Sequence, residues 1–205
     1  MAVLMALFAT VLLMGLGLSI VLVGTTEATL AADDRAARAL REASLAAVHV
    51  AVADLRAQPS WSAILAAGPV APFSAAPGRS IGTSAAPPAP WGGSPLDLQA
   101  MTADVEASAD TGAGDAQVWR LFECGSLDQL VPGSAAGSWY VAVWVADDRA
   151  DEDEDPAVDA NGVIALRAVA YGPRGARVAT VVSVLKTAVA GQPDRVRVLT
   201  IRPSS

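Results

Sequence analysis

From Met1 to Thr26 the chain carries no charged side chain, and Ala2 to Gly24 reads AVLMALFATVLLMGLGLSIVLVG. About 20 apolar helical residues cover the hydrocarbon core of a bilayer, so this run is long enough to span one with tilt to spare. A secretory signal peptide has a basic n-region, a shorter apolar core and a small-residue cleavage site. Here no Lys or Arg precedes the run and no A-x-A closes it. The expectation is an uncleaved transmembrane anchor over residues 1–25. With no basic residue ahead of the span, the positive-inside rule has nothing to weigh on that side. Gly15 and Ser19 form a small-xxx-small pair that permits close helix approach in lipid, a pattern too common to carry weight alone.

No turn follows the apolar run. Between Thr25 and Gln58 there is neither Gly nor Pro, and Ala, Arg, Leu and Glu dominate, all strong helix formers. Apolar residues recur at Leu30, Ala37, Leu40, Ala47, Val48, Ala51 and Leu55, close to a helical period. Asp34 and Arg38, then Arg38 and Glu42, stand four apart and support an exposed helical face. Pro59 and the Ser-rich residues after it end the helix. The span and residues 26–58 therefore read as one helix of about 55 residues, roughly 80 Å at 1.5 Å per residue. As a coiled-coil stalk its seam is too Ala-rich and too short.

Residues 59–115 read as a linker. Eight of the 13 prolines fall between Pro59 and Pro95, among Ala, Gly and Ser, a composition that buries little apolar surface. Trp61, Phe73 and Trp91 are candidate packing anchors within it, and residues 96–109 a candidate short helix. From residue 116 to 205 the signals are those of strands. QVWRLF, SWYVAVWVA, VIALRAVAY, ARVATVVSVLKTA and RVRVLTI are rich in β-branched and aromatic residues. Gly172-Pro173-Arg174-Gly175 joins two of them as a hairpin turn. The predicted fold class is α+β, an antiparallel sheet burying one face against the long N-terminal helix.

Charge is unevenly placed. Residues 147–159 hold eight acids (Asp147, Asp148, Asp151, Glu152, Asp153, Glu154, Asp155 and Asp159) against Arg149, which accounts for the whole net charge of −7. Residues 160–205 carry seven bases against Asp194. Those bases alternate with Val, Ala and Leu, which predicts a basic outer strand face and no nucleic-acid partner. Asp151, Asp153, Asp155 and Asp159 match positions 1, 3, 5 and 9 of an EF-hand loop. Pro156 stands where that loop needs glycine, however, and Gly162 where it needs the bidentate glutamate. An EF-hand is excluded, and an oxygen-lined calcium site of another geometry is the alternative to a solvated acidic loop.

Two further patterns fail as chemistry. Gly78-Arg79-Ser80-Ile81-Gly82 matches G-x-S-x-G, but no strand precedes Ser80 and the one histidine, His49, lies upstream, against the hydrolase order. Cys124 and His49 are each the only residue of their kind, so no internal disulfide or cysteine-based zinc site is expected. A thiol dyad would require a helix-face histidine to reach a strand-end cysteine. No catalytic, cofactor-binding or metal-binding set emerges, and the chain is not expected to be an enzyme.

An uncleaved apolar N-terminus running into an amphipathic helix, with Glu27 just past the span, resembles the type IV pilin class. More narrowly, residues 26–55, TEATLAADDRAARALREASLAAVHVAVADL, resemble the N-terminal domain of PilX-type pilus assembly proteins. Glu27, the Asp34-Arg35 step and Arg41-Glu42-Ala43-Ser44-Leu45 occupy the matching positions. VWVADDRADEDEDPAVDANGVIAL also looks like a C-terminal block of such proteins. Two departures from the pattern stand out: a basic leader ending in glycine would have to lie upstream of Met1, and Met5 stands where many pilins have glutamate. GspK-like pseudopilins of type II secretion systems are related and need not keep that glutamate. The resemblance implies a minor pilin anchored in the bacterial inner membrane, with its C-terminal domain in the periplasm or on the pilus. Its implied partners are membrane lipid and other pilin subunits, contacted through the N-terminal helix. A single-pass membrane protein with a periplasmic β-rich binding domain is the reading from another class.

Overall fold

The computed structural model of the chain describes residues 1–66, 97–109, 117–127, 139–153, 155–187 and 194–204. Phe73, Ser80 and Trp91 lie outside them, as does most of the proline-rich stretch. The elements are helices α1 (Ala2–Ala57), α2 (Ser62–Ala66) and α3 (Leu98–Ala109) and strands β1 (Arg120–Ser126), β2 (Tyr140–Asp147), β3 (Val163–Tyr171), β4 (Arg177–Thr187) and β5 (Arg195–Ser204). Two compact units result, Met1–Ala39 and Leu40–Ser205, and α1 contributes to both.

The first unit is helix throughout, and none of its residues is buried. Thr10, Ser19, Thr25, Thr26 and Thr29 each donate the side-chain hydroxyl to a carbonyl three or four residues back. These hydroxyls are thus satisfied within the helix itself. Asp34 and Arg38 form the ion pair expected from their spacing.

In the second unit the five strands form one antiparallel meander in the order β1-β2-β3-β4-β5. On α1 the buried positions are Leu40, Ala43, Ser44, Ala47, Val48, Ala51, Val52 and Leu55, a stripe at helical spacing. The stripe packs in one core with Val141, Val143, Val145, Ile164, Leu166, Ala168 and Val182 of the sheet. It begins at Leu40, whereas Leu30 is 63% exposed. The alanines on it let the helix lie close to the sheet, and Ser44 fixes the contact. Its hydroxyl donates to the Ala168 carbonyl at 3.0 Å and lies 2.9 Å from Thr180 Oγ1.

The end of α1 is tied off by residues from the proline-rich stretch and the sheet. Trp61 is buried and donates its indole N–H to the Leu55 carbonyl. Lys186 Nζ donates to the Gln58 and Pro59 carbonyls at 3.1 and 2.9 Å and pairs with Asp194. A cation placed there complements the negative end of the helix dipole. The stretch 59–115 therefore contributes Trp61, Ile64 and Leu65 to the core.

The opposite face of the sheet is covered by α3, the helix read at residues 96–109. Asp97 caps it by accepting from the backbone N–H groups of Gln99 and Ala100, both at 3.0 Å. Val105 packs with Leu121, Cys124, Tyr140, Trp144 and Val169, and the Trp144 indole donates to Thr102 Oγ1. An extra residue at Phe122 breaks the register of β1 against β2; Leu121 packs in the core on the α3 side and Phe122 in the core on the α1 side. The turn at residues 172–175 joins β3 to β4 as expected, closed by Gly172 N–H donating to Ala176 O at 2.7 Å. The molecule is α+β, a long apolar N-terminal helix followed by a five-stranded antiparallel sheet.

Candidate functional site

Residues 148–162 connect β2 to β3 and hold the acidic run. Strand alternation places Val141, Val143 and Val145 on the face that receives α1, and Asp147 continues that series. Its side chain is consequently only 7% exposed. Burying a carboxylate is expensive unless its oxygens are satisfied, and Asp147 Oδ1 is buried without a hydrogen-bond partner. Gln117 Nε2 donates to the backbone carbonyl of the same residue at 2.6 Å, which holds the strand end in place.

The loop folds back on this carboxylate. One carboxylate oxygen from each of Asp147, Asp151 and Asp153 lies within 4.8 Å of the other two. Asp151 Oδ2 accepts from the backbone N–H groups of Ala160 and Asn161 at 2.8 and 3.2 Å, which closes the loop across ten residues. Asn161 Nδ2 donates to Asp148 Oδ1 at 2.7 Å. Ser62 Oγ on α2 accepts from Asp159 N–H at 3.1 Å, docking the loop against that helix. Where the loop rejoins the sheet, Gly162 has φ +78°, and an added Cβ would meet the Lys186 carbonyl oxygen at 2.8 Å. Glycine is required there on both counts.

Burial raises the Asp147 carboxyl from about 3.8 to about 7. A hydrogen bond from the Asp148 backbone pulls the other way, and the charges on Asp151, Asp148 and Asp159 add to the rise. Asp159 is also raised, by burial first, against a hydrogen bond from Gly162. A carboxyl whose folded pKa exceeds its unfolded value binds its proton more tightly in the folded state. Ionisation of Asp147 therefore opposes folding increasingly from about pH 3.8 to about 7.

The four aspartates singled out by spacing do not converge as a set. Asp151 and Asp153 do meet, and Asp147, absent from that set, joins them. Asp155 Oδ1 accepts from Ala157 N–H, and Asp159 Oδ1 accepts from Gly162 N–H, so both serve local turns. The signal for Asp147 was its parity with three valines of β2.

Three other candidate locations lie elsewhere in the chain. Beneath α3 a cavity of about 790 Å³ is lined by Arg41, Asp104, Arg167, Tyr171 and Arg177 among others, with no Ser, Cys or His among the described residues that line it. Burial lowers the Arg167 guanidinium and raises the Tyr171 hydroxyl to about 12. Cys124 is buried in the core on the α3 side, in hydrogen-bond contact with the Tyr140 hydroxyl. His49 is exposed on α1, which packs on the opposite face. The sheet thus separates the two halves of the thiol dyad. Finally, α1 is long and apolar enough to cross a membrane, and Leu4, Leu7, Phe8, Val11, Leu12 and Leu18 are all more than 60% exposed. No known protein family, curated protein or solved structure matches the chain.

Proposed function

We propose that the protein is a minor subunit of a type IV pilus or its assembly apparatus, of PilX type, working through α1 as anchor and packing element. In this reading the first part of the helix lies in the bacterial inner membrane before assembly. It then exchanges lipid for the helices of neighbouring subunits. The C-terminal sheet rides with it, in the periplasm and afterwards on the filament surface. The observation that carries the reading is the division of one continuous helix. No residue from Met1 to Ala39 is buried by the chain itself, and the next sixteen residues supply the stripe that packs on an antiparallel sheet. An apolar surface on all sides of a helix needs lipid or other helices around it. Helix association in lipid is driven by packing, which suits an element that must move from one surrounding to the other.

The test is the filament itself. Deleting the gene in its own host should abolish or sharply reduce surface pili. Mass spectrometry of sheared filaments should then detect the protein with its apolar helix intact. Recovery from membranes with residues 1–30 removed, or normal piliation in the deletion strain, would overturn the proposal. Loss of protein secretion with pili intact would assign the chain to a GspK-like pseudopilin instead.

A further inference from the structure

We infer that Asp147, Asp151 and Asp153 bind one calcium ion at the end of β2, and that this ion fixes the 148–162 loop to the sheet. The residues come from two structural contexts, a strand end and a loop, brought together by the chain's own hydrogen bonds. Asp151 is held by two backbone N–H groups on Oδ2, which leaves Oδ1 for a ligand. Asp153 Oδ1 accepts from Asp155 N–H, and its other oxygen likewise remains. Asp147 is fixed by the β2–β3 ladder, where it pairs with Ile164.

Asp147 separates this arrangement from an ordinary solvated acidic loop. A surface aspartate satisfies its oxygens with water. This one is 7% exposed, has an oxygen lacking any hydrogen-bond partner, and stands on the apolar side of the sheet. The neighbouring charges of Asp151, Asp148 and Asp159 act on it with the same sign. A bound cation would satisfy the orphan oxygen and turn the mutual repulsion of three carboxylates into attraction.

The donor set selects the ion. All three ligands are carboxylates, which suit hard cations. Two oxygens on one calcium ion lie no farther apart than twice the metal–oxygen distance, about 4.6–5.2 Å, and calcium accepts irregular shells where magnesium insists on near-octahedral geometry. Three oxygens within 4.8 Å of one another fall inside the upper end of that range. Three carboxylates supply between three and six oxygens, and water completes the shell. The inference concerns the sheet unit alone and stands or falls independently of the pilus proposal.

The experiment uses the full chain in detergent, stripped with EGTA and titrated calorimetrically with calcium chloride. The expected result is one calcium per chain. The melting temperature should rise by roughly 5–10 °C once calcium exceeds its Kd by about 100-fold. Magnesium chloride at the same concentration should give a clearly smaller shift. Asp147→Asn should melt above the wild type without calcium, because a buried charge is gone, and should lose the response to calcium. Asp151→Asn and Asp153→Asn should each weaken binding by about tenfold or more. Asp153→Asn retains the oxygen that accepts from Asp155, so it reports on the ion even if Asp151→Asn unfolds the loop. No saturable binding at millimolar calcium, equal shifts with magnesium, or wild-type affinity in Asp147→Asn and Asp153→Asn would each overturn the site.

Discussion

Leu12 and Leu55 lie on the same helix, yet Leu12 is 64% exposed and Leu55 is wholly buried. Helix propensity is ample in both parts of α1, so the backbone does not explain the contrast. The arrangement of apolar side chains around the axis does. From Ala2 to Gly24 they occupy every side of the helix, and after Leu40 they keep to one stripe with Arg41, Glu42, His49 and Arg56 outside it. A one-sided stripe can be covered completely by one sheet. An all-round apolar surface cannot, and must find its cover outside the chain. The lesson is that the second part of α1 belongs to the folding of this molecule, and the first part to its surroundings.

Truncating the two leucines gives the largest expected contrast. Leu55→Ala should lower the stability of the sheet unit by about 2–5 kcal/mol, the range for a buried leucine cut back to leave a cavity. Leu12→Ala should leave it within about 0.5 kcal/mol. Chemical denaturation of both variants in detergent, followed by tryptophan fluorescence, measures the difference. Equal losses would mean that the apolar segment is part of the folded core. A charge reverses the contrast. Leu16→Arg should cost about 2.5–3.5 kcal/mol of membrane insertion and shift the protein toward the soluble fraction on alkaline carbonate extraction. Ala53→Arg, on the exposed side of the second part, should stay in the membrane pellet.

A polar pair sharpens the comparison at a smaller scale. Ser19 and Ser44 both hydrogen-bond a backbone carbonyl, Ser19 that of Gly15 within its own helix and Ser44 that of Ala168 across the core. Ser44→Ala should cost about 1–3 kcal/mol in the same unfolding experiment, since Thr180 is left with a buried hydroxyl short of its partner. Ser19→Ala removes a bond from a carbonyl already engaged in the helix, and unfolding of the sheet unit should not register it.

Much of this was legible in the residues. The break-free run to Gln58 predicted α1 to within a residue, and the β-branched segments marked all five strands. Reading by residue type worked because strong helix formers fill α1 and β-branched residues fill the strands. It did less well where a residue's role depends on a neighbour distant in sequence. Pro59 and the serines correctly ended the helix, but nothing local announced that Trp61 would fold back onto Leu55. The acidic loop shows the same limit. The 1, 3, 5, 9 spacing drew attention to Asp155 and Asp159, whose carboxylates close short turns onto Ala157 and Gly162. Asp147 was overlooked because it ends a strand, although the alternation Val141, Val143, Val145, Asp147 already placed it on the buried face.

The boundary between the two parts of α1 offers the smallest effect and the finest test. Arg38 pairs with Asp34 just before the buried stripe begins, and both side chains are more than half exposed. Pairs of this kind, four residues apart on a helix in water, contribute about 0.3–0.5 kcal/mol, and salt screens them. Arg38→Ala should therefore change the unfolding midpoint marginally in dilute buffer and not at all in high salt. A clearly larger loss, insensitive to salt, would mean that the ion pair is desolvated. The cover over α1 would then extend toward the N-terminus past Leu40, and the dividing line between self-packed and externally packed helix would have to move with it.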